Sequence, residues 1–214
     1  MTTILLFGDS NTYGTMPMAA LGEGRRFGRE TRWSGHLART LGPSVEVVAE
    51  GHPGRTTVHD DPVEGAHRNG FTVLPALLES HAPLDLVVIM LGTNDFKARF
   101  SVTPLDVALS VERLANLIRA SGIGPEGAAP RLLLVAPPPL VETGCLEGMF
   151  TGGAAKSRDL AGELAKVAAR QGDEFLDAGA HIEVSPIDGV HFEAEAHVVL
   201  GAAMAAAIRP LIGH

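Results

Sequence analysis

The sequence has 214 residues, 45% of them hydrophobic, and sets 17 Lys and Arg against 25 Asp and Glu for a formal charge of −8. That acidic surplus argues against nucleic acid as a partner, because a phosphate backbone is bound through a basic face that displaces counterions. The single cysteine, Cys145, excludes an intrachain disulfide and a multi-cysteine metal site.

The length suits one domain over residues 1–214, and no linker, repeat or charge block divides it. The apolar run before Gly8 is too short for a signal-peptide core. No segment approaches the roughly 20 apolar residues that span a bilayer, so no membrane partner and a cytoplasmic location are expected.

The first predicted strand is Ile4 to Phe7, which stops at the turn formers Gly8, Asp9, Ser10 and Asn11. A serine at a strand's carboxyl end in a parallel sheet lies where ligands bind. The same position allows a plainer role, in which Asp9 and Ser10 cap a helix. A helical pattern over 33–42 leads to a second strand over 45–49, followed by EGHPGRTT at 50–57. Its Gly51 and Gly54 can take backbone conformations closed to other residues. A helix over 72–81 precedes the strand LDLVVIML at 84–91, which ends in GTND at 92–95.

The next helix is predicted over 104–122, with Thr103 as N-cap, Pro104 at N1 and Gly122 at C′. Leu105, Leu109, Leu114, Leu117 and Ile118 form its apolar stripe, and Glu112, Arg113 and Arg119 fall outside it. A fourth strand over 131–137, a helix over 155–170, a weaker strand over 174–179 and an alanine-rich helix over 193–208 complete the chain. Between the last two lies DGVHF at 188–192. Alternating strands and helices predict a three-layer α/β/α sandwich on a parallel sheet. Right-handed crossovers then gather the loops after Phe7, Ala49, Leu91, Ala136 and Asp177 on one edge.

These loops supply the parts of an acyl-transfer site. Ser10 is a nucleophile that needs a base to take its proton. His191 can accept that proton, and Asp188, three residues earlier, can fix its tautomer and stabilise the imidazolium. The backbone N–H groups of Ser10 and Gly54 and the side-chain amide of Asn94 can bind the oxyanion of a tetrahedral intermediate.

The four segments resemble the blocks of the SGNH, or GDSL-type, hydrolase superfamily, whose namesake residues map to Ser10, Gly54, Asn94 and His191. FGDSNTYG, Arg32-Trp33, GRTT, DDP, the stretch ending in MLGTND, and PPPL resemble its bacterial arylesterase/acyltransferase subgroup more closely. The resemblance implies a flavodoxin-like sheet of five parallel strands in order 2-1-3-4-5. It further implies a small-molecule ester substrate with a short acyl group, acetyl above all, acyl transfer to alcohols as well as water, no cofactor, and a homo-oligomer. Asn11 departs from the usual leucine of the first block, and Glu50 from the asparagine often found in the second. Both leave the pocket's shape open.

Asp9, Asn11 and Thr93, beside these blocks, are candidates for substrate binding. So are Met149 and Phe150, in the long segment 140–153, which can line an acyl pocket or bury themselves against another subunit. Segment 15–32 is similarly long. A metal site is a rival reading, because His52, His59, Asp60, Asp61 and His67 crowd one loop, but their spacing matches no tetrahedral zinc pattern. No metal is therefore expected. A phosphate loop is disfavoured because GDSNTYG lacks the lysine. The remaining alternatives are a carbohydrate-binding or scaffold module without catalysis and a carbohydrate acetylesterase as the physiological role.

Overall fold

The computed structural model describes residues 1–213. Five strands, β1 (Thr2–Gly8), β2 (Val45–Gly51), β3 (Leu86–Met90), β4 (Arg131–Ala136) and β5 (Glu174–Asp177), form one sheet. They run parallel in the order β2-β1-β3-β4-β5. This is the order implied by the family resemblance. The strand order reverses beside β1, and in such sheets the crevice at the reversal is the ligand site. Gly8, the last residue of β1, is in register with Gly51 on one side and Met90 on the other.

Every residue of β3 is buried, because helices cover both faces of the sheet. Strand alternation divides the core in two. Leu5, Phe7, Val87, Ile89, Leu132 and Leu134 pack on one side against α3 (Gly70–His81), α4 (Pro104–Ala120) and α5 (Gly153–Gln171). On the opposite face Ile4, Leu6, Val88, Met90, Leu133 and Val135 meet α2 (Trp33–Leu41) and α6 (Ala194–Ile212). Gly201 brings the last two helices close, since a Cβ there would lie 2.5 Å from the His36 Cβ.

Helix α4 begins as its sequence predicts. Thr103 and Asp106 form a reciprocal capping box with Pro104 in the first turn, and Gly122 follows at φ 64°. Its buried stripe differs from the expected one. Val107, Ala108, Val111, Leu114, Ala115 and Ile118 face the core, while Leu105 and Leu109 are exposed. Two alanines and two valines outweigh two leucines here because this face packs against α5, where small side chains let the helices approach. Helix α6 also departs from expectation. Its 19 residues are apolar enough, by length and composition, to cross a membrane. In this fold its face of Leu200, Met204, Ile208 and Leu211 is buried in the sheet's core.

Candidate active site

The end of β1 is shaped by contacts that leave no room for side chains. A Cβ on Gly8 would lie 2.0 Å from Thr12 Oγ1, and one on Gly51 would lie 2.1 Å from the Tyr13 backbone nitrogen. Between these contacts the chain turns into a single helical turn, α1 (Ser10–Tyr13), with Asp9 as N-cap. Asp9 Oδ1 accepts from the Asn11 N–H at 2.9 Å. Capping and catalysis are thus compatible readings of one motif: Asp9 caps, and Ser10, the first helical residue, faces the cavity.

The loop before α6 supplies the partner groups. Gly189, at φ 72°, donates to Ser185 O at 2.8 Å, and Ser185 donates to His191 O at 2.7 Å, closing a tight turn. The turn brings Asp188 onto His191. Asp188 Oδ1 accepts the N–H groups of Val190 and His191, each at 3.0 Å. Asp188 Oδ2 accepts His191 Nδ1 at 2.7 Å and the Met18 N–H at 2.9 Å. Burial works to raise the Asp188 carboxyl, but the His191 ring and these N–H donors outweigh it and hold the group below the usual aspartate value. With Nδ1 donating to the carboxylate, Nε2 is the acceptor, and it lies 3.1 Å from Ser10 Oγ. The Asn11 amide donates to Val190 O at 3.0 Å and ties the serine's helix to the histidine's loop.

The three expected oxyanion donors belong to residues that line one cavity, Ser10 itself, Gly54 and Asn94. Among the described residues, neither the Ser10 nor the Gly54 backbone N–H is bonded to a protein acceptor. Gly54 holds φ 74°, where a Cβ would lie 2.5 Å from Glu64 Oε2. The Asn94 amide donates to Asp9 Oδ2 at 3.4 Å, which orients it and leaves its second N–H free. Burial pushes the Asp9 carboxyl up to about 6.

Ser10, Gly54, Asn94 and His191 line one cavity of about 380 Å³, as do Met149 and Phe150. Leu146 and Val190 extend its apolar wall, and Glu64 and Lys97 form a charged part of its lining. Asp9, Asn11 and Thr93, expected to bind substrate, do not reach the cavity. All three are buried, with Asp9 and Asn11 spent on the cap and on Val190. Glu50 lies outside too, its carboxylate bonded to His81 at 2.9 Å.

In the histidine-rich loop the His52 and His67 rings pack edge to face, 5.6 Å between centroids, and the other side chains take separate partners. His59 stacks on Phe100, Asp60 takes the Asn69 amide at 2.7 Å, and Asp61 takes Arg99 at 2.8 Å. Among the described residues no group of three or more potential ligands converges there or elsewhere.

Several supporting residues carry no motif of their own. Arg55 is buried, donates to Gly8 O at 2.8 Å and also to Glu50 O, and lies 4.3 Å above the Phe7 ring. It thereby fixes the end of β1 against the loop bearing Gly54, and burial lowers its pKa to about 10. Asp95 accepts both the N–H and the hydroxyl of Thr57, locking the second block to the third. A charged residue directly after the glycine turn was the visible hint for Arg55. Met18 gave none, being 170 positions from Asp188.

The model of the GDSL-like lipase/acylhydrolase family matches residues 6–199. The chain is 41% identical to the aryl esterase of M. smegmatis, with a TM-score of 0.94, over 99% of this chain and 100% of that one. It is equally similar, at 41% identity and TM-score 0.94 over 99% and 100%, to Est24, a carbohydrate acetylesterase from Sinorhizobium meliloti. A second carbohydrate acetylesterase family member from that organism is 38% identical with a TM-score of 0.91 over the whole of both chains. No curated protein matches the sequence. A family model that spans both the Ser10 turn and the His191 loop, joined by relatives alike from end to end, establishes that the chain belongs to the GDSL-like lipase/acylhydrolase family.

Proposed function

We propose that this protein hydrolyses short-chain carboxylic esters, acetyl esters foremost, through an acyl-enzyme on Ser10, and passes the acyl group to alcohols as well as to water. The observation that carries the reading is the 3.1 Å contact between His191 Nε2 and Ser10 Oγ, backed by the 2.7 Å contact to Asp188. In this mechanism His191 takes the serine proton as Oγ attacks the ester carbonyl. The carbonyl oxygen, now an anion, is held by the N–H groups of Ser10 and Gly54 and by the Asn94 amide. His191 then gives its proton to the departing alcohol, and water or a second alcohol repeats the sequence on the acyl-enzyme.

A cavity of about 380 Å³ with Leu146, Met149 and Phe150 in its wall suits a small acyl group. The similar proteins named aryl esterase and carbohydrate acetylesterase support an ester substrate and leave its alcohol open between them. A binding module that has lost catalysis would not be expected to keep nucleophile, base and carboxylate in hydrogen-bond contact beside a cavity lined by Gly54 and Asn94.

The reading extends to a cytoplasmic homo-oligomer. The assembly is supported by apolar side chains exposed at Leu21, Val63, Val141 and Ile187, which a second copy would cover. Light scattering of the purified chain tests the assembly. Turnover of p-nitrophenyl acetate, unaffected by EDTA, tests the chemistry. No turnover would favour the binding module, and loss with EDTA would favour a metal site.

A further inference from the structure

The cavity's charged residues are not needed for the reaction as described, yet they are held there at a cost. Lys97 is only 3% exposed. Its ammonium pairs directly with Glu64, and Asp61 lies 3.7 Å away. Glu64 also faces Arg99 at 3.7 Å and Arg68 at 3.8 Å, too far for direct hydrogen bonds. Lys97 and Asp61 are desolvated while the Glu64 side chain stays 26% exposed, and a buried ammonium beside a small ester cavity is unfavourable unless its hydrogen-bonding capacity is used.

That capacity is incomplete. An ammonium has three donors, and a carboxylate accepts about four hydrogen bonds. The Lys97–Glu64 contact uses one of each, and both side chains line the cavity with Ser10. Glu64 Oε2 stands over Gly54, so the pair borders the oxyanion donors. Thr15, also on the cavity wall, is 5% exposed, and its hydroxyl has no partner. An alkyl group pressed against this wall strips water from it and gives nothing back. A hydroxyl donates to Glu64 and accepts from Lys97 at once.

We infer that the Lys97–Glu64 pair is a specificity subsite that recognises a hydroxyl group of the ester substrate. This inference rests on the esterase reading above and names the substrate class: hydroxylated esters. The hydroxyl can belong to the alcohol portion or to the acyl portion, and two isosteric pairs separate these sources. One pair is 2-hydroxyethyl acetate against propyl acetate. The other is ethyl glycolate against ethyl propanoate.

For each pair the ratio of kcat/KM, hydroxylated over alkyl, is divided by the same ratio for hydroxide-catalysed hydrolysis, which removes intrinsic reactivity. The wild type is expected to give a corrected ratio of about tenfold or more in one pair, since a site built to bond a hydroxyl rejects the analogue that lacks it. Lys97→Met and Glu64→Leu, which remove the donor and the acceptor, should bring that ratio towards one. A corrected ratio near one for both pairs in the wild type overturns the inference without any variant. So does a ratio above one that survives both substitutions. Turnover of all four esters without discrimination overturns the subsite alone, whereas no turnover of any ester overturns the esterase reading and the subsite with it.

Discussion

Asp188 accepts four N–H donors, and one of them, the His191 ring nitrogen at 2.7 Å, is the group the carboxylate orients. Asparagine at this position would turn its NH2 either towards the imidazole and the Met18 N–H or towards the Val190 and His191 backbone N–H groups, all of which are donors. Asp188→Asn should therefore place the ring in the wrong tautomer and lower kcat by about 10⁴. Near-normal kcat in Asp188→Asn, with loss in Asp177→Ala or Asp60→Ala, would mean that another carboxylate serves the histidine.

Asn94 tests the oxyanion donors. Its amide is oriented by Asp9 and lines the cavity beside Ser10. Asn94→Ala should lower kcat by about 10²–10³, or ~3–4 kcal/mol, with little change in KM, because the charge it meets exists only in the transition state. An effect confined to KM would contradict that role.

Gly51 tests the fit between the first two sequence blocks. Its added Cβ would stand 2.1 Å from the Tyr13 nitrogen and 2.5 Å from the Thr12 carbonyl carbon, both backbone atoms of the serine's helix. Gly51→Ala should destabilise the fold by about 1–3 kcal/mol through overpacking. Activity should fall with it as Ser10 is displaced. A melting temperature equal to the wild type would show that the turn has slack.

His197 gives the fold a pH signature. It is fully buried, accepts from the Trp33 N–H at 3.2 Å, and touches the edges of Phe27 and Phe192. Burial lowers its pKa from 6.5 to about 4. Between those values the unfolded chain takes a proton that the folded chain refuses, so this group removes stability as pH falls from 6.5 to 4, by on the order of 2–3 kcal/mol. Asp9 and Asp95, raised by burial to about 6, act oppositely, since folding favours their protonated forms as pH falls from 6 towards 3.8. The test is consequently a difference: the stability advantage of wild type over His197→Asn should shrink between pH 6.5 and 4. An advantage that is constant with pH would contradict the burial argument.

The sheet was legible because the middle of a strand covered on both faces is apolar, as in residues 4–7 of β1 and the whole of β3. The loops that follow were legible because Ser10, Gly54, Asn94, Asp188 and His191 belong to short patterns whose order carries information. What the sequence hid is of two kinds. Leu105 and Leu109 are exposed although they continue the apparent stripe, because hydrophobicity favours leucine over the alanines that allow close helix packing. Asp9, Asn11 and Thr93 sit beside the right residues but are buried and do not line the cavity, a distinction that proximity in the chain does not make. Lys97, Glu64 and Met18 became visible only once strands and loops distant in sequence were brought to one edge.

The central claim is that Ser10 is the nucleophile, made reactive by His191. Mass spectrometry of the chain after reaction with a fluorophosphonate tests it most directly. One label per chain at Ser10 is predicted, absent in Ser10→Ala, together with strongly slowed labelling in His191→Ala; a label on another serine, or labelling at undiminished rate without His191, would contradict it.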